Sequence, residues 1–164
     1  MQVITRDSHL WNYMIPEVRE LVEDGETVLT FVHENKHKAE ISDYSFIVFP
    51  FAKAFEGFLK KFFLDGGLIT EDEYYSDEIR VGRLLNPNYA DNSSIYNRIC
   101  GHAGGGGKYV AERLWKAWKR GRNLVFHYFP HNFRKLYYDE ALDVINDIIN
   151  AMAEAVSVCR LPEK

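Results

Sequence analysis

Arg122 and His127 are the side chains whose types and spacing most invite chemistry. The run Gly121-Arg122-Asn123-Leu124-Val125-Phe126-His127 sets a guanidinium and an imidazole five residues apart, with a small polar residue after the arginine and an apolar stretch between. An imidazole titrates near neutral pH, so it can take a proton from a ribose 2′-hydroxyl or return one to a leaving oxygen. A guanidinium stays charged and forks onto phosphate oxygens, which suits the charge that gathers on a five-coordinate phosphorus. The two groups suffice to cut RNA without a metal: the 2′-hydroxyl attacks and a 2′,3′-cyclic phosphate remains. DNA lacks that nucleophile. The spacing alone is common in ordinary connectors, so the elements around it must supply the rest of the case.

On a regular helix, five residues advance about 500° and leave the two side chains roughly 140° apart. One straight helix therefore does not aim both at one atom. Pro130 biases Phe129 away from helical angles, so the segment is expected to be irregular or a helix end. The pair would then converge within one chain or be completed by a partner chain.

The formal charge is -4, so no global field draws in a polyanion, and nucleic-acid binding would need a local basic patch. Residues 108–122 provide one: Lys108, Arg113, Lys116, Lys119, Arg120 and Arg122 stand against the single acid Glu112. Lys108, Lys116, Lys119, Arg120 and Asn123 are the candidate RNA contacts, with His131 as a possible assistant in the cleft. The three tryptophans, ten tyrosines and eleven phenylalanines fill a core or stack on unpaired bases.

Other signals carry less. The glycines at 104–107 before Lys108 lack the glycine, the following Ser or Thr and the feeding strand of a phosphate loop, so a flexible connector is the better reading. His33 and His37, like His127 and His131, stand four apart, but no zinc-protease pattern accompanies either pair. No metal or cofactor is expected. Cys100 and Cys159 make no disulfide framework and read as reduced thiols of a soluble cytoplasmic protein. No signal peptide or membrane span is evident.

The chain reads as one all-helical domain over residues 1–164, a bundle of four to five principal helices. Ser8 caps a first helix carrying Leu10, Trp11, Met14, Ile15, Val18, Leu21 and Val22. Gly25 closes it, and Pro16 delays its start or kinks it. Residues 27–32 fit a strand or another helical turn. A second helix runs from Ser42 or Asp43 to Leu64, bent by Pro50 and stopped by Gly66 and Gly67; Phe51, Ala54, Phe55, Phe58 and Phe62 form its apolar face. Glu56 sits among these phenylalanines. Residues 71–83 predict a short acidic helix, 86–88 a turn, and 108–120 a helix with Val110, Leu114, Trp115 and Trp118 inward. The last helix has Asp139 and Glu140 at its start and one stripe from Ala141 to Val156.

Arg122-Asn123-x-x-x-His127 resembles the R-x4-6-H motif of the HEPN superfamily, in its polar residue and in its place before the last long helix. Asp43-Tyr44-Ser45-Phe46 leading into residues 51–61 is similar to the RNase LS toxin (RnlA) family, whose HEPN-like domain sets a glutamate beside the Arg and His; Glu56 matches that position. The similarity spans roughly residues 41–158. It implies a metal-independent endoribonuclease of toxin–antitoxin or defence type, with Arg122, His127 and Glu56 catalytic. It also implies a homodimer that joins two Arg–His pairs, and an antitoxin partner. The resemblance does not extend to the upstream domains of the larger toxin, and His127-Tyr128-Phe129 departs from the R-x4-H-x-Y pattern of HEPN toxins paired with nucleotidyltransferases. A silent HEPN bundle serving dimerisation or RNA or nucleotide binding is the alternative. In the catalytic reading Glu56 orients Arg122 or His127; otherwise it pairs with Lys53 or Lys60 on its own helix.

Overall fold

The computed structural model describes residues 1–91, 94–101, 106–128, 130 and 134–159. Among these the chain is all-α, with no strand. Four long helices carry the bundle: α2 (Pro16–Asn35), α3 (Ser45–Asp65), α7 (Gly107–Trp118) and α8 (Tyr138–Cys159). Four short ones decorate it: α1 (His9–Tyr13), α4 (Glu71–Tyr75), α5 (Val81–Leu84) and α6 (Ile95–Arg98). Helix α2 packs on α3, and both α3 and α7 pack on α8.

The predicted first helix is in fact two. Ser8 caps α1 by accepting from the Trp11 amide, but the chain turns extended at Met14 and Ile15. Of the two outcomes expected at Pro16 the late start holds: Pro16 opens α2 at a position where its missing N–H would have had no partner. Gly25 does not close α2. It lies mid-helix because a Cβ there would meet Phe51 Cζ at 2.7 Å, so glycine lets α2 and α3 approach. Residues 27–32 are consequently helical, with Leu29 and Val32 buried.

Helix α3 begins at Ser45 and tolerates Pro50 in its second turn, where the lost bond is the one to the Phe46 carbonyl. Phe51, Phe55, Phe58 and Phe63 are fully enclosed, and Tyr13 meets the Phe58 ring edge-on at 5.8 Å. Asp43 clamps the start of this helix to the approach to α8. Its carboxylate accepts from the Ser45 amide and hydroxyl at 2.9 and 2.6 Å and from the Leu136 amide at 3.1 Å, while the Tyr44 amide donates to the Leu136 carbonyl. Partial burial alone would push this carboxyl up; the Ser45 and Leu136 hydrogen bonds and the Lys135 charge outweigh it and hold the group below its ordinary range.

The single acidic helix expected over 71–83 is also two pieces. Thr70 and Glu73 close a capping box on α4, Ser76 ends it, and α5 forms separately. At the other end of the bundle, Cys100 and Cys159 are not free thiols but a disulfide, with Cα atoms 5.0 Å apart across a separation of 59 residues. Cys100 takes a left-handed φ of 51°, which turns the chain after α6. Only the fold brings that turn beside the end of α8. Disulfides persist in oxidising compartments and are rare in a reducing cytoplasm. Among the described residues no helix is long and apolar enough to cross a membrane.

Candidate active site

The end of α7 departs from α-helical geometry where the chemistry is expected. Lys119–Asn123 forms a π-helical turn, marked by the Leu124 amide donating to the Lys119 carbonyl at 2.9 Å. Such turns insert an extra residue and re-aim the side chains that follow. The local cause is Gly121. It is buried against α8, where a Cβ would stand 2.6 Å from Ile148 Cδ1 and 2.9 Å from its Cγ1. The backbone reaches α8 that closely only without a side chain, and Arg122 is turned outward from the contact. Past Asn123 the chain leaves the helix through a turn at Leu124 and Val125, so the 140° separation of a straight helix does not apply to Arg122 and His127.

Both residues line one cavity of about 610 Å³, within the span of small-ligand sites. Helix α3 contributes Glu56 to it, the π turn Arg122 and Asn123, and the following segment His127. The opposite wall is Arg80, Val81, Gly82 and Arg83 from in and around α5, with Asn86 and Tyr89 beyond; α7 supplies Trp115 and Trp118. Three arginines thus face one carboxylate on a chain that is acidic overall.

Arg122 Nε lies 3.6 Å from Glu56 Oε2, with the two side chains 38% and 33% exposed. A pair so open to solvent stabilises the fold by roughly 0–1 kcal/mol, so its consequence is orientation rather than stability. It engages Nε, whereas the terminal guanidinium nitrogens are the ones that fork a phosphate. The Phe126 ring sits 5.5 Å from the guanidinium carbon and meets Phe49 of α3 edge-on at 5.6 Å, which holds the 122–127 segment against α3. Across the cavity Trp118 is buried and its indole N–H has no partner. It presses on Gly82, where a Cβ would fall 2.6 Å from Nε1.

The structure therefore brings Glu56, Arg122, Asn123 and His127 together. It does not bring the other expected contacts to that cavity. Lys108, Lys116, Lys119 and Arg120 are exposed but line none of it, and Arg120 leans toward Asp147 at 3.8 Å. Arg113 is taken up in packing α7 on α8, paired with Asp147 at 2.9 Å and Glu154 at 3.2 Å. Part of the basic run is thus neutralised by the acids of α8. His131 lies outside the described residues. His33 holds Tyr138 at 2.9 Å, a contact between α2 and α8. Among the described residues no three His, Cys, Asp or Glu side chains are grouped to hold a metal.

Arg80, Arg83 and Tyr89 were not legible beforehand. Their stretch reads as acidic, and its two arginines, three residues apart, were the available signal. No protein-family profile, curated protein or solved structure matches the chain. The HEPN resemblance accordingly rests on the quoted residues.

Proposed function

We propose that this chain is a metal-independent endoribonuclease of toxin or defence type, acting in the cavity that Glu56, Arg122 and His127 line. The observation that carries the reading is the shared cavity: an imidazole, an arginine turned out by a π turn and an orienting carboxylate, ringed by Arg80 and Arg83. RNA enters with a phosphate against Arg122. His127 takes the 2′-hydroxyl proton, the oxygen attacks phosphorus, and the 5′-oxygen leaves with a proton as the cyclic phosphate closes. Arg122, helped by Arg80 and Arg83, offsets the charge on the phosphoryl oxygens. Asn123 offers a further hydrogen bond to the strand, and Glu56 is a positioning residue for Arg122.

The resemblance adds two proposals: a homodimer, in which one His127 serves as base and its mate as acid, and restraint by an antitoxin protein. Cytoplasmic action remains the expectation drawn from the sequence, and the Cys100–Cys159 disulfide counts against it.

The test is cleavage of a long single-stranded RNA in EDTA by wild type, His127→Ala and Arg122→Ala. Cleavage by wild type with cyclic phosphate ends, reduced at least about a hundredfold in each variant, is expected. If all three bind RNA and none cleaves it, the chain is a binding module on the same fold. Equal cleavage by all three places the chemistry elsewhere.

A further inference from the structure

A second compartment adjoins the first, of about 430 Å³, between α2, α3 and the 122–127 segment. It shares Glu56 and Arg122 with the catalytic cavity, so that pair forms the wall between the two. Its surface differs from its neighbour's. Val18, Leu21, Phe49 and Phe126 give it an apolar lining, and its charged groups are the cations Lys53, Lys60 and Arg122 with the carboxylates Glu17 and Glu56. Phe49 is 54% exposed, as Phe46 on the same helix is 45% exposed, and of the two only Phe49 lines this compartment.

An apolar slot with an open aromatic ring, beside a phosphate-binding guanidinium and two lysines, matches a nucleobase with its flanking phosphates. The base gives a flat apolar face to the ring, and the lysines meet the backbone. We infer that this compartment is a nucleobase subsite, holding a base of the nucleotide next to the phosphate at Arg122. The inference rests on the ribonuclease reading and deepens it: the substrate is single-stranded RNA with an unpaired base to insert, because a base stacked in a duplex cannot enter the slot. Phe49 is a binding residue here and takes no part in the proton transfers.

The test uses a 2′-O-methyl oligoribonucleotide, which cannot be cleaved, and the same backbone without bases. Binding is measured by anisotropy for wild type, Phe49→Ala and Phe49→Trp. Wild type is expected to bind the intact strand well above the base-free one. Phe49→Ala should lose about tenfold or more on the intact strand and nothing on the base-free one, and Phe49→Trp should restore binding. On cleavable RNA, Phe49→Ala should raise KM, and Phe49→Trp, which keeps a ring against Phe126, should bring KM back. Equal loss on both strands, no loss, or no binding of either strand overturns the subsite. So does a change of oligomeric state in Phe49→Ala, which would make the slot a contact between copies. If the base-dependent pattern holds but wild type cleaves nothing, the ribonuclease reading fails while the subsite stands. If cleavage depends on His127 but ignores Phe49, the reverse is true.

Discussion

Replacing Gly121 by Ala adds one methyl group where the structure has no room for it. The new Cβ would lie 2.6 and 2.9 Å from the last two carbons of the Ile148 chain and 3.5 Å from Val144 Cγ1. The third distance is ordinary contact; the first two are not. Ile148 is fully buried and β-branched, so it cannot swing clear. Overpacking of this kind costs about 1–3 kcal/mol, and the helical preference of Ala over Gly returns about 0.5–1 kcal/mol. A net loss of up to about 2.5 kcal/mol should lower Tm by up to about 5–10 °C in a chain of this size. The effect on activity should be larger. Relieving the clash moves the π turn away from α8, and a displacement of about 1 Å at Arg122 can cost on the order of a hundredfold. Calorimetry and single-turnover RNA cleavage, both well below Tm, separate the two effects. Ile148→Val removes the carbon at 2.6 Å and leaves the one at 2.9 Å, so Gly121→Ala/Ile148→Val should show a favourable coupling of about 1 kcal/mol and recover part of the activity. A Gly121→Ala protein with unchanged Tm and cleavage, or purely additive effects of the two substitutions, would refute the account of why the π turn sits here.

Glu56→Gln keeps the shape of the carboxylate but loses its charge. Cleavage should fall about tenfold in kcat with stability within about 0.5 kcal/mol of wild type, whereas a fall in KM-determined affinity alone would contradict a positioning role. Asp43 is held below its ordinary range in the folded chain. Its contribution is therefore present above the unfolded value of about 3.9 and lost as pH falls from there through the folded value. Urea titrations between about pH 5 and pH 2 should show a shallower loss of stability in Asp43→Asn than in wild type, and parallel curves would argue against the clamp. Reducing the Cys100–Cys159 bond reopens a loop of about sixty residues, worth about 4 kcal/mol by chain entropy. A phosphine reductant should accordingly lower Tm by about 10 °C, as should Cys100→Ser/Cys159→Ser without reductant. Two thiols titrating freely in protein purified in air would show the pair unlinked.

Periodicity alone was enough for α3 and α8, though not for the bounds of α2. The phenylalanine face of α3 and the stripe of α8 repeat at three and four residues, and burial follows that repeat with few exceptions. The all-α class and the Ser8 cap followed from the same local rules. The Arg122–His127 spacing and Glu56 were visible as residue types in a suggestive order, and the need for an irregular segment between them followed from helical arithmetic. What the sequence could not decide was set by contacts between residues far apart in it. Gly25 looked like a stop because glycine is a poor helix former. Against Phe51 it is a place for two helices to touch, and the helix runs on. The role of Gly121 is set by Ile148, twenty-seven positions later, which fixes how close the backbone must come. The two cysteines carried no local sign of pairing because their distance is set by where α6 turns and α8 ends. Local sequence thus determined which elements form and which chemistry-bearing groups exist. Tertiary packing decided which glycines are breaks and which are contacts, which cations are consumed by α8, and that Arg80 and Arg83 face Arg122 and His127 across one cavity. Propensity acts over a few residues, whereas steric exclusion and ion pairing act between whatever surfaces the fold brings together.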